Sequence, residues 1–403
     1  MGESPESYGA LAARVVALEA QLAQAGLEAG QRIVIGLERG PALVAAVLAA
    51  LRSRVVFTLV DPEHPDPETR RIVDELRPQL GWVDLAGDAA LPEGLRRLWA
   101  HRTAVPRRAT RETGLARESR RQRGPRSPVE GRGRPLRRRG LASPIAYVSF
   151  EAVRDGRPLG VAISRAALWG RLEDAVETFG LEAKDRGLAW SAPSSTAGLL
   201  EMLLPLWVGG SLELVEPEGA DLSRVASRLD SAPVTLVQGS AARLRRLSDA
   251  GWEGSGQPMV LVDGAVPDRP TAQRLVERGA SVWSLQGVPE CTGWSFFRRL
   301  RTDESAADRK RLGRAFPRTR WAALDPAGRS VEEGELLIAG TEVGEGYWNR
   351  PFETVRRFVP HSSLGRSFRT GRRVRVLADG QLALAGERSA VKEVPNLRRA
   401  ASE

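Results

Sequence analysis

Short apolar runs alternate with amphipathic helical segments along most of this chain, and that alternation limits its possible folds more than any other feature. Residues 8–26 place leucine and valine on one helical face and end at Gly26. The run 32–37 is typical of a buried strand, Pro41 opens the next helix, and a second strand follows at 55–60. A chain that alternates in this way forms a parallel sheet with helices on both faces.

The same alternation returns in the middle of the chain. Strands are predicted at 145–150, 187–191, 211–215, 233–237, 258–262 and 281–285. The helices predicted with them carry Leu168, Leu172 and Val176, then Leu199, Met202, Leu203 and Leu206, then residues within 236–247, and finally Leu275. From Gly313 the pattern changes to short alternating strands with turns at 325–328 and 378–380, which indicates a small β-barrel. The predicted fold class is therefore α/β, with two doubly wound sheets flanked by helices plus a small β-barrel.

One tract supplies the net charge of the protein. The whole chain carries +10, whereas residues 101–140 alone hold 14 Arg against three Glu, so the rest of the chain is close to neutral. The segment from about Leu95 to Ser143 is rich in Arg, Pro, Gly and Ser and has few large apolar residues. Such a segment cannot offset its ordering entropy, so it is predicted to be a disordered surface loop.

Three interpretations of this Arg-rich tract stay open. It is a solvated insertion, or it binds nucleic acid or an acidic protein, or it is translated out of its ancestral frame. The third interpretation is considered because GC-rich coding sequence read in the wrong frame often encodes Arg, Gly, Pro and Ala. Only Trp99, at the edge of the tract, could stack on a base, which weighs against nucleic acid.

Composition excludes several classes of protein. No apolar run approaches the roughly 18 residues of a membrane-spanning helix, and the start of the chain lacks the apolar core of a signal peptide. A single cysteine, Cys291, excludes an internal disulfide. We therefore expect a cytoplasmic protein with no membrane partner. Cys291 is expected to pack rather than to act as a nucleophile, because no His or other base lies near it in sequence.

Residues 146–164 (AYVSFEAVRDGRPLGVAIS) have the outline of a phosphate-binding loop. A strand-like run leads into a turn closed by Gly156 and Gly160, and Ser164 is placed to cap a helix that starts at Arg165. A strand, a Gly-rich turn and a helix are the usual way to bring backbone N–H groups against phosphate. The sequence therefore predicts the frame of such a site.

The lining of this turn is unsuited to an anion. Glu151 and Asp155 fall within it, and two carboxylates facing a triphosphate would repel it. The stretch nevertheless resembles the phosphate loop of adenylate-forming enzymes, most closely the adenylation domains of nonribosomal peptide synthetases, which reads Tyr-Thr-Ser-Gly-(Ser/Thr)-Thr-Gly-x-Pro-Lys-Gly-Val. The matching residues are Gly156, Pro158, Gly160 and Val161, whereas 151–155 replace Thr-Ser-Gly-Ser-Thr and Leu159 replaces the Lys.

Other segments resemble the same family. Residues 334–354 (GELLIAGTEVGEGYWNRPFET) follow its Gly-Glu-Leu-x-Ile-x-Gly…Gly-Tyr-x-Asn-(Arg/Lys)-Pro-x-x-Thr motif nearly residue by residue. In the helix at 193–214, Glu201 is retained, but Thr196 replaces the Asp that holds a substrate ammonium in amino-acid-activating members. Weaker likenesses to Tyr-Gly-Pro-Thr-Glu and to Tyr-Arg-Thr-Gly-Asp lie at 284–294 and 368–387.

The resemblance implies that ATP or AMP is bound together with Mg²⁺. It assigns Glu290 to the metal, and it assigns nucleotide contacts to Gly156, Gly160, Gly264, Gln286, Gly287, Glu290 and Arg372. At Arg372 the family has an Asp that grips both ribose hydroxyls, and a guanidinium, which has only donors, cannot accept those hydrogen bonds. None of the catalytic positions is intact, although ATP, AMP and Mg²⁺ remain the cofactors to test.

The resemblance also divides the chain. It covers about 8–90 and 144–392, and the family's mobile C-terminal subdomain is expected to be missing. The expected parts are a first α/β part at 1–94, the Arg-rich insertion at 95–143, a second α/β part at 144–312, a β-barrel part at 313–385 and a truncated hinge at 386–403.

The substitutions relative to the family motifs concentrate at positions that the resemblance assigns to catalysis and binding, whereas the positions that shape the fold match the motifs. The sequence therefore predicts an adenylation-domain-like protein of the nonribosomal peptide synthetase type that is catalytically impaired or a pseudoenzyme, with carrier or condensation modules of a peptide synthetase as partners. Two alternatives stay open. The first is an active ATP-dependent ligase that forms acyl or aminoacyl adenylates at an atypical site. The second is a binder of nucleic acid or acidic partners through residues 101–140.

Overall fold

The predicted alternation of strands and helices is confirmed by the fold of the described residues. The computed structural model describes residues 5–62, 67–84, 87–88, 91–99, 145–154, 157–215, 221–279 and 281–385. They form two sheets with helices packed against them, and apolar residues from both parts merge into one large core cluster. The fold class is α/β, as the sequence predicts.

The first sheet has seven strands, and its centre is parallel. Its members are β1 (Arg32–Gly36), β2 (Val56–Leu59), β3 (Leu80–Val83), β4 (Arg97–Trp99), β5 (Ile145–Arg154), β6 (Arg157–Ser164) and, from late in the chain, β16 (Gly346–Tyr347). The strand order is β16-β6-β5-β2-β1-β3-β4. Strands β6 and β16 join it in antiparallel pairs, so a segment from the C-terminal half closes one edge of this sheet.

Three helices accompany this sheet, and the first two lie where the sequence predicts them. They are α1 (Tyr8–Gln24), α2 (Pro41–Arg52) and α3 (Pro67–Leu76). Helix α1 buries Val15, Leu18 and Leu22, which recur at helical spacing and form its apolar face. Helix α2 is apolar on nearly every side because it lies inside the core.

The second sheet has twelve strands and begins as a doubly wound parallel unit. Its parallel strands are β7 (Arg186–Ala189), β8 (Ser211–Leu214), β9 (Leu236–Ser240), β10 (Met259–Asp263) and β11 (Ser281–Val288). The helices between and before them are α4 (Arg165–Phe179), α5 (Thr196–Trp207), α6 (Leu222–Ser231), α7 (Ala241–Asp249) and α8 (Arg269–Arg278). Helix α6 is an addition to the predicted set.

The predicted small β-barrel is, in the described residues, an open antiparallel extension of the second sheet. The strands concerned are β12 (Gly293–Arg299), β13 (Arg311–Ala315), β14 (Arg320–Leu324), β15 (Glu333–Ala339), β17 (Phe358–His361), β18 (Gly365–Val376) and β19 (Leu382–Leu384), with helix α9 (Pro351–Arg357) before β17. Strand β12 pairs with β11 on one side and with β13 on the other. Alternation and turns look the same in a barrel and in an open sheet, so the sequence could not separate the two.

The Gly-rich turn differs from the predicted strand, turn and helix. Strands β5 and β6 pair antiparallel out to Arg154 and Arg157, so the turn is the tip of a hairpin and a whole strand separates it from helix α4. Ser164 caps α4 as predicted, because its Oγ accepts a hydrogen bond of 3.2 Å from the backbone N–H of Ala167. Gly156, one of the predicted nucleotide-binding residues, lies outside the described residues.

The first α/β part extends past its predicted end. Strand β4 pairs in parallel with β3, so ordered sheet reaches at least Trp99 rather than stopping at residue 94. Trp99 therefore belongs to the edge of the first sheet, and the Arg-rich residues 101–140 lie outside the described part of the chain.

Candidate functional site

The side chain of Glu151 leaves the hairpin and reaches the start of helix α5. Its Oε1 accepts a hydrogen bond of 2.5 Å from the backbone N–H of Thr196, the first residue of that helix. It also accepts one of 2.8 Å from the Ser149 hydroxyl. The first N–H groups of a helix have no partner within the helix and carry its partial positive charge. A carboxylate of the protein thus occupies a position suited to an anion.

Leu159 and Gly160 face the protein core from the other strand of this hairpin. Leu159 is only 8% exposed and belongs to the main hydrophobic cluster, so the position carries no positive charge toward a nucleotide. A Cβ on Gly160 would lie 2.7 Å from Cε1 of the Phe150 ring, and the Gly160 carbonyl accepts a hydrogen bond of 2.7 Å from the Trp348 N–H. Packing within the hairpin therefore explains the glycine at position 160, with or without a role in phosphate binding.

A second acidic group, Asp263, belongs to the surroundings of Glu151. It ends strand β10 and accepts a hydrogen bond of 3.2 Å from the Trp294 indole N–H. Burial, followed by the negative charge of Glu151, raises the pKa of the Asp263 carboxyl to about 6. Two carboxylates that influence each other in this way make the region unfavourable for a polyphosphate at neutral pH.

Tyr147 completes this group of polar side chains. Its ring is 4% exposed and stacks on Phe57, with 5.7 Å between ring centroids. Burial raises the pKa of the Tyr147 phenol above its usual value, and the charge of Glu151 adds to the effect. Neither Tyr147 nor Asp263 was predicted from the sequence. For Asp263 a signal existed, because it ends a buried parallel strand just before Gly264, and such carboxyl ends are where α/β folds bind ligands.

Gln286 and Gly264, two of the predicted nucleotide-binding residues, are neighbours. The Gln286 side-chain amide, 8% exposed, donates a hydrogen bond to the Gly264 carbonyl. Gly264 has φ +77°, which favours glycine. Gly287 lies where strands β11 and β12 approach so closely that a Cβ would fall 1.8 Å from the Gly293 carbonyl oxygen. The glycine at 287 is thus needed for the fold, and the Gln286 amide is engaged by the protein.

Glu290, the predicted metal ligand, lies in the short 3₁₀ turn Pro289–Cys291. Its Oε1 accepts a hydrogen bond of 2.7 Å from the Tyr347 hydroxyl. The described residues contain no group of three or more His, Cys, Asp or Glu side chains that could hold a metal ion. Mg²⁺ in nucleotide sites uses one or two carboxylates together with substrate phosphates, so Glu290 alone fits such an ion only if a polyphosphate is held beside it.

Arg372, the predicted ribose contact, lies on strand β18. Its backbone N–H donates to the Thr370 hydroxyl at 3.1 Å, and Gly371 before it has φ +69°. The neighbouring Gly371 N–H donates to Glu335 at 3.1 Å, which fixes this bend of the strand. Hydrogen bonds thus fix the backbone at 370–372, while the guanidinium of Arg372 has only donors and cannot accept the two ribose hydrogen bonds that the resemblance implies.

Glu201, retained from the family motif, is bound by the protein itself. It accepts hydrogen bonds from the backbone N–H groups of Trp190 at 3.0 Å and Ser191 at 2.9 Å. Burial raises the pKa of Glu201 to about 7, against the opposing effect of these hydrogen bonds. It therefore fixes the segment between strand β7 and helix α5. Cys291 is fully buried, and burial raises the pKa of its thiol, which fits packing and not nucleophilic chemistry.

Comparison with known proteins places these features in a family context. The sequence profile of the family described as AMP-binding enzyme matches residues 3–348. Pyochelin synthetase PchE of Pseudomonas aeruginosa is 28% identical over 396 residues, which is 94% of this chain and 25% of that protein. The dimodular nonribosomal peptide synthase of Bacillus subtilis is 27% identical over 372 residues, covering 91% of this chain and 15% of that protein. The chain thus spans a quarter or less of the length of these relatives.

Solved structures share the fold. AB3403, a four-domain nonribosomal peptide synthetase bound to AMP and glycine, superposes with a TM-score of 0.78 at 24% identity, over 95% of this chain and 27% of that one. Within the described part of the chain, no helix is long and apolar enough to cross a membrane.

Proposed function

The chain belongs to the AMP-binding enzyme family, and from that premise we propose that it is an adenylation domain of the nonribosomal peptide synthetase type whose nucleotide site is catalytically impaired. The relatives whose names state their role are peptide synthetases, which supports the type. The impairment is inferred from this chain's own side chains.

The contact between Glu151 and the N-terminus of helix α5 carries this proposal. Adenylate formation requires a cradle for the β- and γ-phosphates, since electrostatic stabilisation supplies most of the barrier reduction in phosphoryl chemistry. In this chain the residue at the start of the phosphate loop is an acid, and its carboxylate accepts the Thr196 N–H at 2.5 Å. A triphosphate entering here would meet a negative charge instead of hydroxyl and N–H donors.

The other substitutions act in the same direction. The loop lysine is replaced by Leu159, which is buried in the core, and the ribose-gripping Asp is replaced by Arg372. The Asp that would hold a substrate ammonium is replaced by Thr196. If each loss cost even about 2 kcal/mol, a few together would remove several powers of ten in rate.

The expected ligands and partners follow from the relatives. One solved relative carries AMP and glycine in a four-domain synthetase. We propose weak or absent binding of ATP or AMP, with Mg²⁺ reaching Glu290 only through a bound nucleotide, and carrier or condensation modules of a peptide synthetase as partners. A cytoplasmic location is proposed as well, from the single cysteine.

An active ligase with an atypical site is the second candidate. It is favoured by the retained backbone frame at 370–372 and by the family match that spans residues 3–348. A role of the Arg-rich residues 101–140 in binding nucleic acid or an acidic protein stays a prediction, because they lie outside the described residues.

Two measurements on the full chain decide between impairment and activity. ATP with Mg²⁺ is titrated calorimetrically into the protein, and pyrophosphate exchange is followed with a panel of amino and aryl acids. The proposal expects no saturable binding in the micromolar range and no acid-dependent exchange. Micromolar binding together with exchange driven by one acid would establish the ligase and name its substrate.

A further inference from the structure

A cavity that shares no lining residue with the candidate nucleotide site lies on the second sheet. It has a volume of about 580 Å³ and is formed by strands β11, β12 and β13, the connection between β12 and β13, and the turn before β19. Ligand pockets for small molecules are roughly 300–1,000 Å³ in volume. Its size is therefore that of a binding site for a small molecule.

The floor of this cavity is aromatic. Trp283 and Phe297 are partly buried, with 5.9 Å between their ring centroids, and both pack against the main core. Phe179 of helix α4 supports them from below through edge contacts of 5.7 and 6.1 Å. The rings are thus fixed in place and present apolar surface to whatever enters the cavity.

Two arginines face these rings across the strand pairs. Arg299 is the direct partner of Trp283 in the β11 and β12 pair, and Arg314 is the direct partner of Phe297 in the β12 and β13 pair. Directly paired residues point to the same face of a sheet, and the diagonal neighbours Arg299 and Arg314 are roughly 7–8 Å apart at their Cα atoms. Both side chains are exposed and line the cavity, so their guanidinium groups can converge on one ligand.

The charge balance of the lining leaves these two arginines uncompensated. The three acidic residues of the lining are all committed to other arginines: Glu304 to Arg298, Asp303 to Arg301, and Asp308 to Arg311. Arg311 is held further by Asp379 at 2.7 Å. Within the described part of the chain, Arg299 and Arg314 form no ion pair or hydrogen bond through their side chains. The lining of the cavity therefore carries a net charge of +2, from the guanidinium groups of Arg299 and Arg314, above an apolar floor.

We propose that this cavity is a second ligand site, which binds a small organic anion carrying a phosphate or carboxylate group on a flat apolar body. Guanidinium groups bind both kinds of oxyanion through two parallel hydrogen bonds, and charge-assisted contacts of this kind are stronger than neutral ones. The flat body would lie on Trp283 and Phe297. This site is independent of the nucleotide site, because it shares no residue with it.

Calorimetric titration of the full chain with phenyl phosphate tests the proposal. Inorganic phosphate serves as the anion without a ring, benzoate as the carboxylate, and benzyl alcohol as the ring without charge. We expect saturable binding of phenyl phosphate or benzoate, weaker binding of phosphate by at least about tenfold, and none of benzyl alcohol. Raising the salt from about 0.05 to about 0.5 M should weaken binding, since exposed charges are screened.

Variants connect binding to the cavity. Arg299→Ala with Arg314→Ala should weaken binding of the preferred anion at least about tenfold. Arg224→Ala, an exposed arginine on helix α6, should leave it unchanged. Undiminished binding in the double variant would overturn the proposal, as would the absence of binding of phenyl phosphate and benzoate up to about 10 mM. Equal affinity for inorganic phosphate and phenyl phosphate would refute the role of the aromatic floor.

Discussion

The carboxylate of Glu151 accepts a hydrogen bond of 2.5 Å from the backbone N–H of Thr196, 45 positions later in the chain. One residue lies on strand β5 of the first sheet, and the other is the first residue of helix α5, which packs on strand β7 of the second. The contact joins the two halves of the fold at the point to which the resemblance assigns the phosphate loop and the substrate-binding helix. It places an internal anion where the proposed nucleotide site would receive an external one.

Removing the charge of Glu151 should therefore improve nucleotide binding. Two unit charges about 4 Å apart repel by about 4 kcal/mol near a protein surface, so a gain of at least about tenfold in ATP affinity is expected for Glu151→Ser. Titration of ATP with Mg²⁺ measures it. Glu253→Ser, an exposed carboxylate beside α7, is the matched control. Equal affinities in both variants and the parent would show that Glu151 does not block the site.

The sequence could predict the elements better than the contacts. Helices α1 and α2 were predictable because apolar residues recur on one face or fill the segment. Helix α6 was not predicted, although its buried Val225, Ala226 and Leu229 recur at helical spacing, because the segment is only 10 residues long and mostly polar. The cluster of Glu151, Thr196 and Asp263 escaped because these residues lie on three elements and meet only after both sheets assemble. The residue pattern within a single segment cannot predict such a tertiary contact.

The raised pKa of Asp263 makes a prediction about stability and pH. An Asp has an ordinary pKa of 3.8, and in the folded chain that of Asp263 is about 6. The folded state thus binds this proton more tightly than the unfolded state, so the Asp263 contribution to the free energy of unfolding falls as the pH rises from about 4 through 6. Asp263→Asn removes this dependence and keeps an oxygen that can accept the Trp294 N–H.

Urea unfolding across the pH range measures the effect. At pH 8 the Asp263→Asn variant should be more stable than the parent by up to about 3 kcal/mol, since each pKa unit is worth about 1.4 kcal/mol. Near pH 3 the difference should vanish. The Glu253→Gln variant, changed at an exposed carboxylate, is measured in parallel as the control. A constant difference between Asp263→Asn and the parent at all pH values would contradict the assignment.

A buried ion network makes a second prediction about stability. Arg171 of helix α4 is fully buried and contacts Asp174 at 3.4 Å and Glu342 at 3.6 Å, while Arg318 reaches Asp174 at 2.6 Å. Removal of one member leaves uncompensated buried charge, which costs about 3–5 kcal/mol. We expect Arg171→Leu to lose this amount of unfolding free energy in urea.

An exposed ion pair provides the comparison. Arg52 pairs with Glu19 at 2.9 Å, with 62% of the Arg52 side chain exposed. Surface pairs contribute at most about 1 kcal/mol, so Arg52→Leu should change the unfolding free energy by no more than that. If the Arg171 and Arg52 variants were equally stable, the buried network would have no part in holding helix α4 to the segment around Glu342.

Gly160 allows a packing role to be separated from a role in phosphate binding. A Cβ at this position would lie 2.7 and 2.8 Å from two atoms of the Phe150 ring and 2.8 Å from Val148. Gly160→Ala should therefore cost about 1–3 kcal/mol of unfolding free energy even without nucleotide. Gly9→Ala, at an exposed position in the first turn of helix α1, should instead gain up to about 0.5–1 kcal/mol. The two variants need only thermal or urea unfolding of the nucleotide-free chain.

The source of the strain at Gly160 can be tested by shrinking its neighbour. In a Phe150→Leu background the ring atoms nearest to the added Cβ are gone, so Gly160→Ala should cost at least about 0.5 kcal/mol less than it does in the parent. If the two changes affect the free energy of unfolding additively, contact with the Phe150 ring is not what requires glycine at position 160. A Gly160→Ala variant as stable as the parent would instead show that packing does not require this glycine. The coupling energy between the two changes thus shows whether packing against Phe150 is what requires glycine at position 160.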